Sequence, residues 1–229
     1  MTKYEQSIKT IEAVRAESDE CILFNSFGKD SLVCLDLIAP RFRRVVNVFM
    51  YFVPNLEHIA RFQRQCLSRY TNTQLIQIPH WNLTYLHRGG LYCEPNPKQR
   101  LFKLRDVVQA VTEQVRIPYV FLGMKKADGM NRRLMLNTYE ADNYVHNRWA
   151  YPLATWTQKE VLAYMRHNRL PEPVRYSKNA SSGVGFNLDC FLWMEKNAPD
   201  DLQRMYEAYP QSRRILFEYY YNNQQQPTL

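Results

Sequence analysis

Cys21-Ile22-Leu23-Phe24-Asn25-Ser26-Phe27-Gly28-Lys29-Asp30-Ser31 is an apolar run that ends in small and polar residues, and a second apolar run, Leu32 to Ile38, follows at once. That order reads as strand, short turn and helix, the local arrangement that builds an anion site. The hydroxyls of Ser26 and Ser31 and the free N–H groups of the first helical turn would face the ligand. Gly28 is expected to take a positive φ and let backbone approach it. The helix dipole makes that ligand negative, with phosphate the usual occupant. Ser26 to Ser31 alone would equally suit a serine-capped turn with no ligand, so the flanks and later motifs carry the decision. A Walker A loop is excluded, because no Gly-Lys-Ser/Thr follows a four-residue spacer from a first glycine.

Outward from this turn, strands and helices alternate. Tyr4, Ile8, Ile11 and Val14 keep helical spacing ahead of the first strand. Val45 to Val53 reads as a buried second strand ended by Pro54-Asn55, residues Leu56 to Tyr70 suit a helix, and Gln74 to Ile78 reads as a third strand stopped by Pro79. Leu101, Leu104, Val107, Val108, Val111 and Val115 recur at three- and four-residue intervals, and Pro118 to Gly123 follows as a fourth strand. The alternation implies βαβ crossovers and predicts an α/β, Rossmann-like, doubly wound, mostly parallel sheet. In such a sheet ligands sit beyond the carboxyl ends of the strands, where the loops at Ser26 and Lys125 would both emerge. Thr157-Gln158-Lys159-Glu160 is a capping box that opens a helix to about His167. Further helices are expected at Leu188 to Lys196, Asp200 to Tyr209 and Ser212 to Tyr221, before a frayed tail from Asn222. Residues 1–176 are read as a nucleotide-binding domain, and 177–229 as a helical C-terminal extension packed on the same core.

With 229 residues the chain is long enough for one well-buried domain. It has no run of about 18 apolar residues to span a membrane, and its mixed polar start lacks the apolar stretch of a secretory signal, so cytoplasm is the default compartment. Thirty Lys and Arg against 22 Asp and Glu leave a net charge of +8, which favours an anionic partner without choosing between nucleotide and nucleic acid. The five cysteines, Cys21, Cys34, Cys66, Cys93 and Cys190, form no Cys-x-x-Cys pair. A disulfide framework is not expected, nor is an iron–sulfur cluster, which needs several thiolates at one place.

The hexapeptide from Ser26 resembles the PP-loop of the adenine-nucleotide α-hydrolase superfamily, whose ATP pyrophosphatases carry Ser-Gly-Gly-x-Asp-Ser between a strand and a helix. Phe27 stands where that pattern has its first glycine, as in the Ser-Phe-Gly form found in the phosphoadenosine phosphosulfate (PAPS) reductase branch. Gly123-Met124-Lys125-Lys126-Ala127-Asp128-Gly129-Met130-Asn131-Arg132-Arg133 is similar to that family's Gly-x-Arg-x-x-(Asp/Glu)-Ser-x-x-Arg segment, with Lys125 for Arg and Gly129 for Ser. Tyr151-Pro152-Leu153-Ala154-Thr155-Trp156-Thr157, continued through Glu160, Val161 and Tyr164 to Leu170-Pro171, looks like its Pro-Leu-x-x-Trp-Thr signature. That stretch alone needs no more than a packed helix to explain it. The resemblance covers roughly residues 18 to 176.

The resemblance implies ATP or a PAPS-like adenine nucleotide as ligand. Ser26, Phe27, Gly28 and Ser31 would cradle phosphate, Lys29 and Asp30 would serve catalysis, with Asp30 holding Mg²⁺, and Lys125, Lys126, Arg132 and Arg133 would clamp anionic groups. Of the two adjacent arginines only one can face the turn, and Arg132 matches the family spacing. It also implies attack at the α-phosphorus with pyrophosphate leaving, and use in sulfur transfer or nucleic-acid modification, with a nucleic acid or a thiol or sulfur-donor protein as partner. Two features depart from the family. Its Glu-Cys-Gly-x-His nucleophile segment is missing, which leaves Cys190, beside Asp189, as the candidate thiol for a reductase. Phe52-Val53-Pro54-Asn55 stands in place of the Asp-Thr-Gly that commonly follows the second strand. A thiol-dependent reductase and a non-catalytic nucleotide or nucleic-acid binding module are the rival readings.

Overall fold

The computed structural model describes residues 2–177 and 184–224. In chain order the elements are α1 (Lys3–Arg15), β1 (Glu20–Phe24), α2 (Lys29–Ile38), β2 (Arg44–Tyr51), α3 (Glu57–Leu67), β3 (Thr73–Pro79), α4 (Leu83–Gly89), α5 (Leu104–Val115), β4 (Val120–Leu122), α6 (Met130–Thr138), β5 (Val145–His146), β6 (Trp149–Ala150), α7 (Gln158–His167), α8 (Leu188–Asn197), α9 (Pro199–Ala208) and α10 (Arg214–Gln224). The expected strands and helices are in place, and α4, β5 and β6 come in addition. The tail expected to fray from Asn222 is helical as far as Gln224, and residues 225–229 lie outside the described residues.

The chain gathers into two units. The first, residues 1–50, 63–78 and 105–173, holds the sheet, ordered β3-β2-β1-β4-β6-β5. β1 pairs in parallel with β2 on one side and β4 on the other, with Ile22 opposite Val46 and Val120. β4 pairs in parallel with β6, and β5 closes the edge antiparallel to β6. Cys21, Ile22 and Leu23 are wholly buried, as expected of a central strand covered on both faces. Strand order reverses direction at β1 and β4, so the crevice at their carboxyl ends is the switch point of the sheet. β5 and β6 join through Asn147 and Arg148, at φ 47° and 66°, the pair of left-handed residues that a tight hairpin needs. No Asn-Gly or Asp-Gly pair announces that turn.

The third motif plays the structural part expected of it. Thr157 and Glu160 form the reciprocal capping box of α7. Trp156 Nε1 donates to Ser7 Oγ on α1 at 2.8 Å, and Ser7 Oγ donates to the Pro152 carbonyl at 2.6 Å.

The second unit comprises Tyr51–Phe62, Pro79–Leu104 and Val174–Leu229. Residues 184–224, read from the sequence as part of a helical C-terminal extension, gather here with 51–62 and 79–104. Helices α8, α9 and α10 share an apolar cluster of Val53, Leu56, Leu83, Phe191, Met194, Leu202, Met205 and others, whose members all belong to this unit. The segments after β2 and β3 supply part of it, because their apolar residues need a partner and the C-terminal helices have amphipathic faces to offer.

Asp201 is central to this unit. Its carboxylate, 2% exposed, accepts from the backbone N–H groups of Glu57 and His58 at 2.8 and 2.9 Å, and so caps α3 from another helix. The same carboxylate meets His58 Nδ1 at 2.5 Å and Arg204 at 2.8 Å, while His58 Nε2 lies 2.9 Å from the Tyr176 hydroxyl. Burial would raise the Asp201 carboxyl, but the bonds from His58 and Glu57 prevail and hold it below the ordinary aspartate value. Asp201→Ala should therefore cost about 1–3 kcal/mol at pH 7 in denaturant unfolding. The folded pKa is the depressed one, so this contribution is complete above the unfolded value and fades as pH falls through the folded one. Parent and variant should converge in stability at strongly acid pH, and a constant gap down to pH 2 would contradict this assignment.

Candidate anion site at the β1–α2 turn

β1 ends at Phe24, and Asn25 turns the chain. Asn25, 1% exposed, receives Phe27 N–H on Oδ1 at 2.8 Å and donates Nδ2 to Asn47 Oδ1 on β2 at 2.9 Å. The positive φ expected at Gly28 falls instead on Phe27, at 55°, while Gly28 is extended at φ −82°, ψ 168°. For a residue with a side chain that conformation costs about 1–3 kcal/mol, and it persists only where the surroundings enforce it. The Phe27 ring turns inward, 3% exposed and edge-on to Phe49 with centroids 5.9 Å apart, so Phe27 contributes backbone and not a ring to the site.

Ser26 and Ser31 face each other across the turn, Oγ to Oγ 3.2 Å, and Ser31 Oγ donates to the Gly28 carbonyl at 3.0 Å. The first intrahelical bond runs from Leu32 N–H to that same carbonyl. Gly28 caps α2 without a side-chain bond. The N–H groups of the first turn are therefore directed out of the helix start, where an anion is favoured.

The loop after β4 meets this helix start. A Cβ on Gly123 would lie 3.2 Å from the Asp30 carbonyl carbon and 3.3 Å from Ser31 N, so a side chain there would press on the α2 backbone. Lys125, 1% exposed, places Nζ 2.6 Å from Asp30 Oδ1 and 2.9 Å from Asp128 Oδ1. Lys29 Nζ stands 2.9 Å from Asp30 Oδ2. Asp128 Oδ2 accepts from Lys125 N at 2.9 Å and from Arg132 at 2.7 Å. Burial would raise the Asp128 carboxyl, but the bonds from Lys125 and Arg132 outweigh it and hold it low. Gly129, at φ 154° and ψ 170°, has a conformation open essentially to glycine alone, and it starts α6.

The structure thus brings together Ser26, the Phe27 backbone, Gly28, Lys29, Asp30, Ser31, Lys125 and, through Asp128, Arg132. Lys126 turns elsewhere, to Glu140 at 3.1 Å and over the Tyr144 ring at 5.1 Å. Arg133 is exposed and has no ion pair among the described residues. Asp30, expected to carry Mg²⁺, has each oxygen engaged by a lysine, so its position here is that of a counter-ion. Cys190, the candidate thiol, lies wholly buried in the apolar cluster of the second unit, with burial pushing its thiol up to about 11. Asn25 and Asn47 escaped the sequence reading, although Asn47 interrupts an otherwise apolar strand and a buried amide there calls for a partner.

The family model for the phosphoadenosine phosphosulfate reductase domain matches residues 20–182, which takes in the turn, the Lys125 loop and α7. The chain belongs to this family. No curated protein matches the sequence. Among solved structures, an NH3-dependent NAD synthetase from Campylobacter jejuni is similar in fold, with 13% identity and TM-score 0.50 over 100% of this chain and 99% of that one. A U34-tRNA thiolase, NcsA, from Methanococcus maripaludis has 13% identity and TM-score 0.48 over 93% of this chain and 77% of that one, and is described with its [4Fe-4S] cluster. The expectation of no iron–sulfur cluster, drawn from cysteine spacing, is withdrawn on that finding. Among the described residues no three His, Cys, Asp or Glu side chains gather as metal ligands. No helix among the described residues is long and apolar enough to cross a membrane.

As a member of the PAPS reductase family the chain is an adenine-nucleotide-binding protein of an enzyme family. Two measurements probe its site. Lys125→Met removes the cation shared by Asp30 and Asp128, which keep Lys29 and Arg132 as partners, and should lower stability by about 1.5–3 kcal/mol, as for a lost charged hydrogen bond. A thermal midpoint equal to the parent's would show that Lys125 is not the tie. In the folded protein at pH 8, iodoacetamide should label Cys93, which alone of the five cysteines is partly exposed, well before Cys190. Peptide mass spectrometry reads the order directly.

Proposed function

We propose that this chain binds ATP or a PAPS-like adenine nucleotide with its phosphate chain on the Gly28–Ser31 turn, and catalyses attack at the α-phosphorus. The bond from the acceptor to phosphorus forms as the bond to the bridging oxygen breaks, and the electron pair leaves with pyrophosphate when the nucleotide is ATP and with sulfate when it is PAPS-like. The observation that carries this reading is the convergence of the α2 start with Lys125 at the β1/β4 switch point. Lys29, Lys125 and Arg132 against Asp30 and Asp128 leave that cluster one positive charge in excess, added to the helix dipole. Phosphoryl chemistry of this kind needs positioning and charge compensation more than a protein nucleophile, which agrees with the absence of the family's cysteine segment. Ser26 and Ser31 would bond phosphate oxygens, Lys29 and Lys125 would compensate charge on the departing group, and Arg132 would grip a second anionic group. Use of the adenylated product in sulfur transfer or nucleic-acid modification is consistent with the net charge of +8. The reductase reading requires an accessible thiolate, which the burial of Cys190 does not offer.

The test is to incubate the purified protein with ATP and Mg²⁺ in the buffer, and separately with PAPS and a dithiol protein, and to assay pyrophosphate, AMP and sulfite. Pyrophosphate from ATP is the expected product, whereas sulfite from PAPS would select the reductase. Nucleotide binding without any product would leave a binding module. Arg132→Ala should weaken nucleotide affinity by about 1.5–3 kcal/mol, as for a charged hydrogen bond, with Arg132→Lys recovering only part. Arg133→Ala should bind as the parent does, and the reverse pattern in calorimetry would put the wrong arginine in the site.

A further inference from the structure

We infer that Asn25 is the positioning residue of the phosphate turn: it holds Phe27 in a left-handed conformation and so aims the amides that follow. This rests on the reading of the turn as a phosphate site. Both ends of the Asn25 side chain are spent on the task. Oδ1 takes the Phe27 N–H at 2.8 Å, an i to i+2 bond that imposes a turn, and Nδ2 is anchored to Asn47 Oδ1 at 2.9 Å on the neighbouring strand. Its backbone N–H is held by the Val48 carbonyl at 2.9 Å, so the anchor is the sheet itself. Asn25 and Asn47 are 1% and 0% exposed, and no solvent competes for these bonds.

The need for such a lock follows from Phe27. A glycine there would adopt φ 55° freely, but phenylalanine disfavours it and would relax toward negative φ without an outside hold. Any such relaxation rotates the peptide between Phe27 and Gly28, and with it the direction in which the Gly28 N–H and the α2 start point. The bulky residue at 27 and the buried amide pair at 25 and 47 are thus one device.

A double-mutant cycle tests it, with parent, Asn25→Ala, Phe27→Gly and the double variant compared by calorimetric affinity for ATP and for inorganic pyrophosphate, and by amide hydrogen exchange over residues 25–31 without ligand. Asn25→Ala should cost about tenfold or more in affinity, which is about 1.4 kcal/mol, and should speed exchange across the turn. In the Phe27→Gly background the same substitution should cost less than about threefold, because glycine needs no hold. A general loss of packing would cost the same in both backgrounds, and that result, or an Asn25→Ala variant indistinguishable from parent, overturns the inference. Asn25→Ser, whose hydroxyl accepts only weakly from the same amide, should fall between and carries the cycle if the alanine variant does not fold. A parent that binds neither ligand would overturn the phosphate reading instead. The cycle is then decided on exchange alone, where dependence on the residue at 27 supports the lock and its absence removes it.

Discussion

A lysine ammonium taken out of water must be paired, and the pairing of Lys125 organises the centre of the first unit. Lys125 is 1% exposed, and its charge is met by Asp30 from α2 and Asp128 from its own loop. Next to it, the chain at Gly123 comes so near the Asp30–Ser31 backbone that a Cβ there would make tight contacts of 3.2 and 3.3 Å. For Asp128 to reach back, residues Lys126–Asp128 wind into a 3-10 turn, and Gly129 takes its glycine-only conformation to start α6. Arg132 then closes the series on Asp128. One buried charge thereby sets the path of the chain from β4 into α6 and fixes it against the start of α2.

This accounts for the two departures at the second motif. A guanidinium at 125 would have to satisfy five donors in a nearly closed space, whereas an ammonium between two carboxylates needs only its three. Gly129 replaces the serine common in the family at a position where φ 154° would strain any residue with a Cβ. The first motif shows the opposite solution. There a residue with a large side chain occupies a left-handed position, and buried amides supply the restraint that glycine would make unnecessary.

Both departures from the family pattern fall in the second unit. Cys190 lies among Phe191, Met194 and Tyr176, where burial suppresses the thiolate. The stretch that stands where the family has Asp-Thr-Gly contributes Val53 to the same cluster, as does the adjoining Leu56, and Asn55 lends its carbonyl to Arg204.

The architecture was legible because it rests on short-range pattern. Apolar runs of strand length between helical periodicities specify a parallel sheet, and a strand–turn–helix with small residues specifies where its anion site lies. Ser26, Gly28 and Ser31 could be named as candidates on that basis, Lys125 followed from the resemblance of its segment to the family's, and the capping box of α7 could be read from four residues. Direction and environment were not legible, since they depend on residues far apart in sequence. The left-handed turn falls on Phe27 and not Gly28, and the Asn25 that bonds the Phe27 N–H is itself anchored to Asn47, 22 positions further along on another strand. Lys126 and Lys125 are neighbours with the same charge, yet one reaches Asp30 and the other Glu140. The Cys190 thiol is raised by burial among helices and segments more than 100 residues apart, which its neighbours in the sequence do not reveal. The sequence by itself determined the main strands and helices, their order and the strand–turn–helix at Ser26, because those follow from local periodicity and backbone preference. Only the tertiary structure decided which polar groups face one another, because burial and pairing of charge are properties of surfaces that do not exist until the chain has folded.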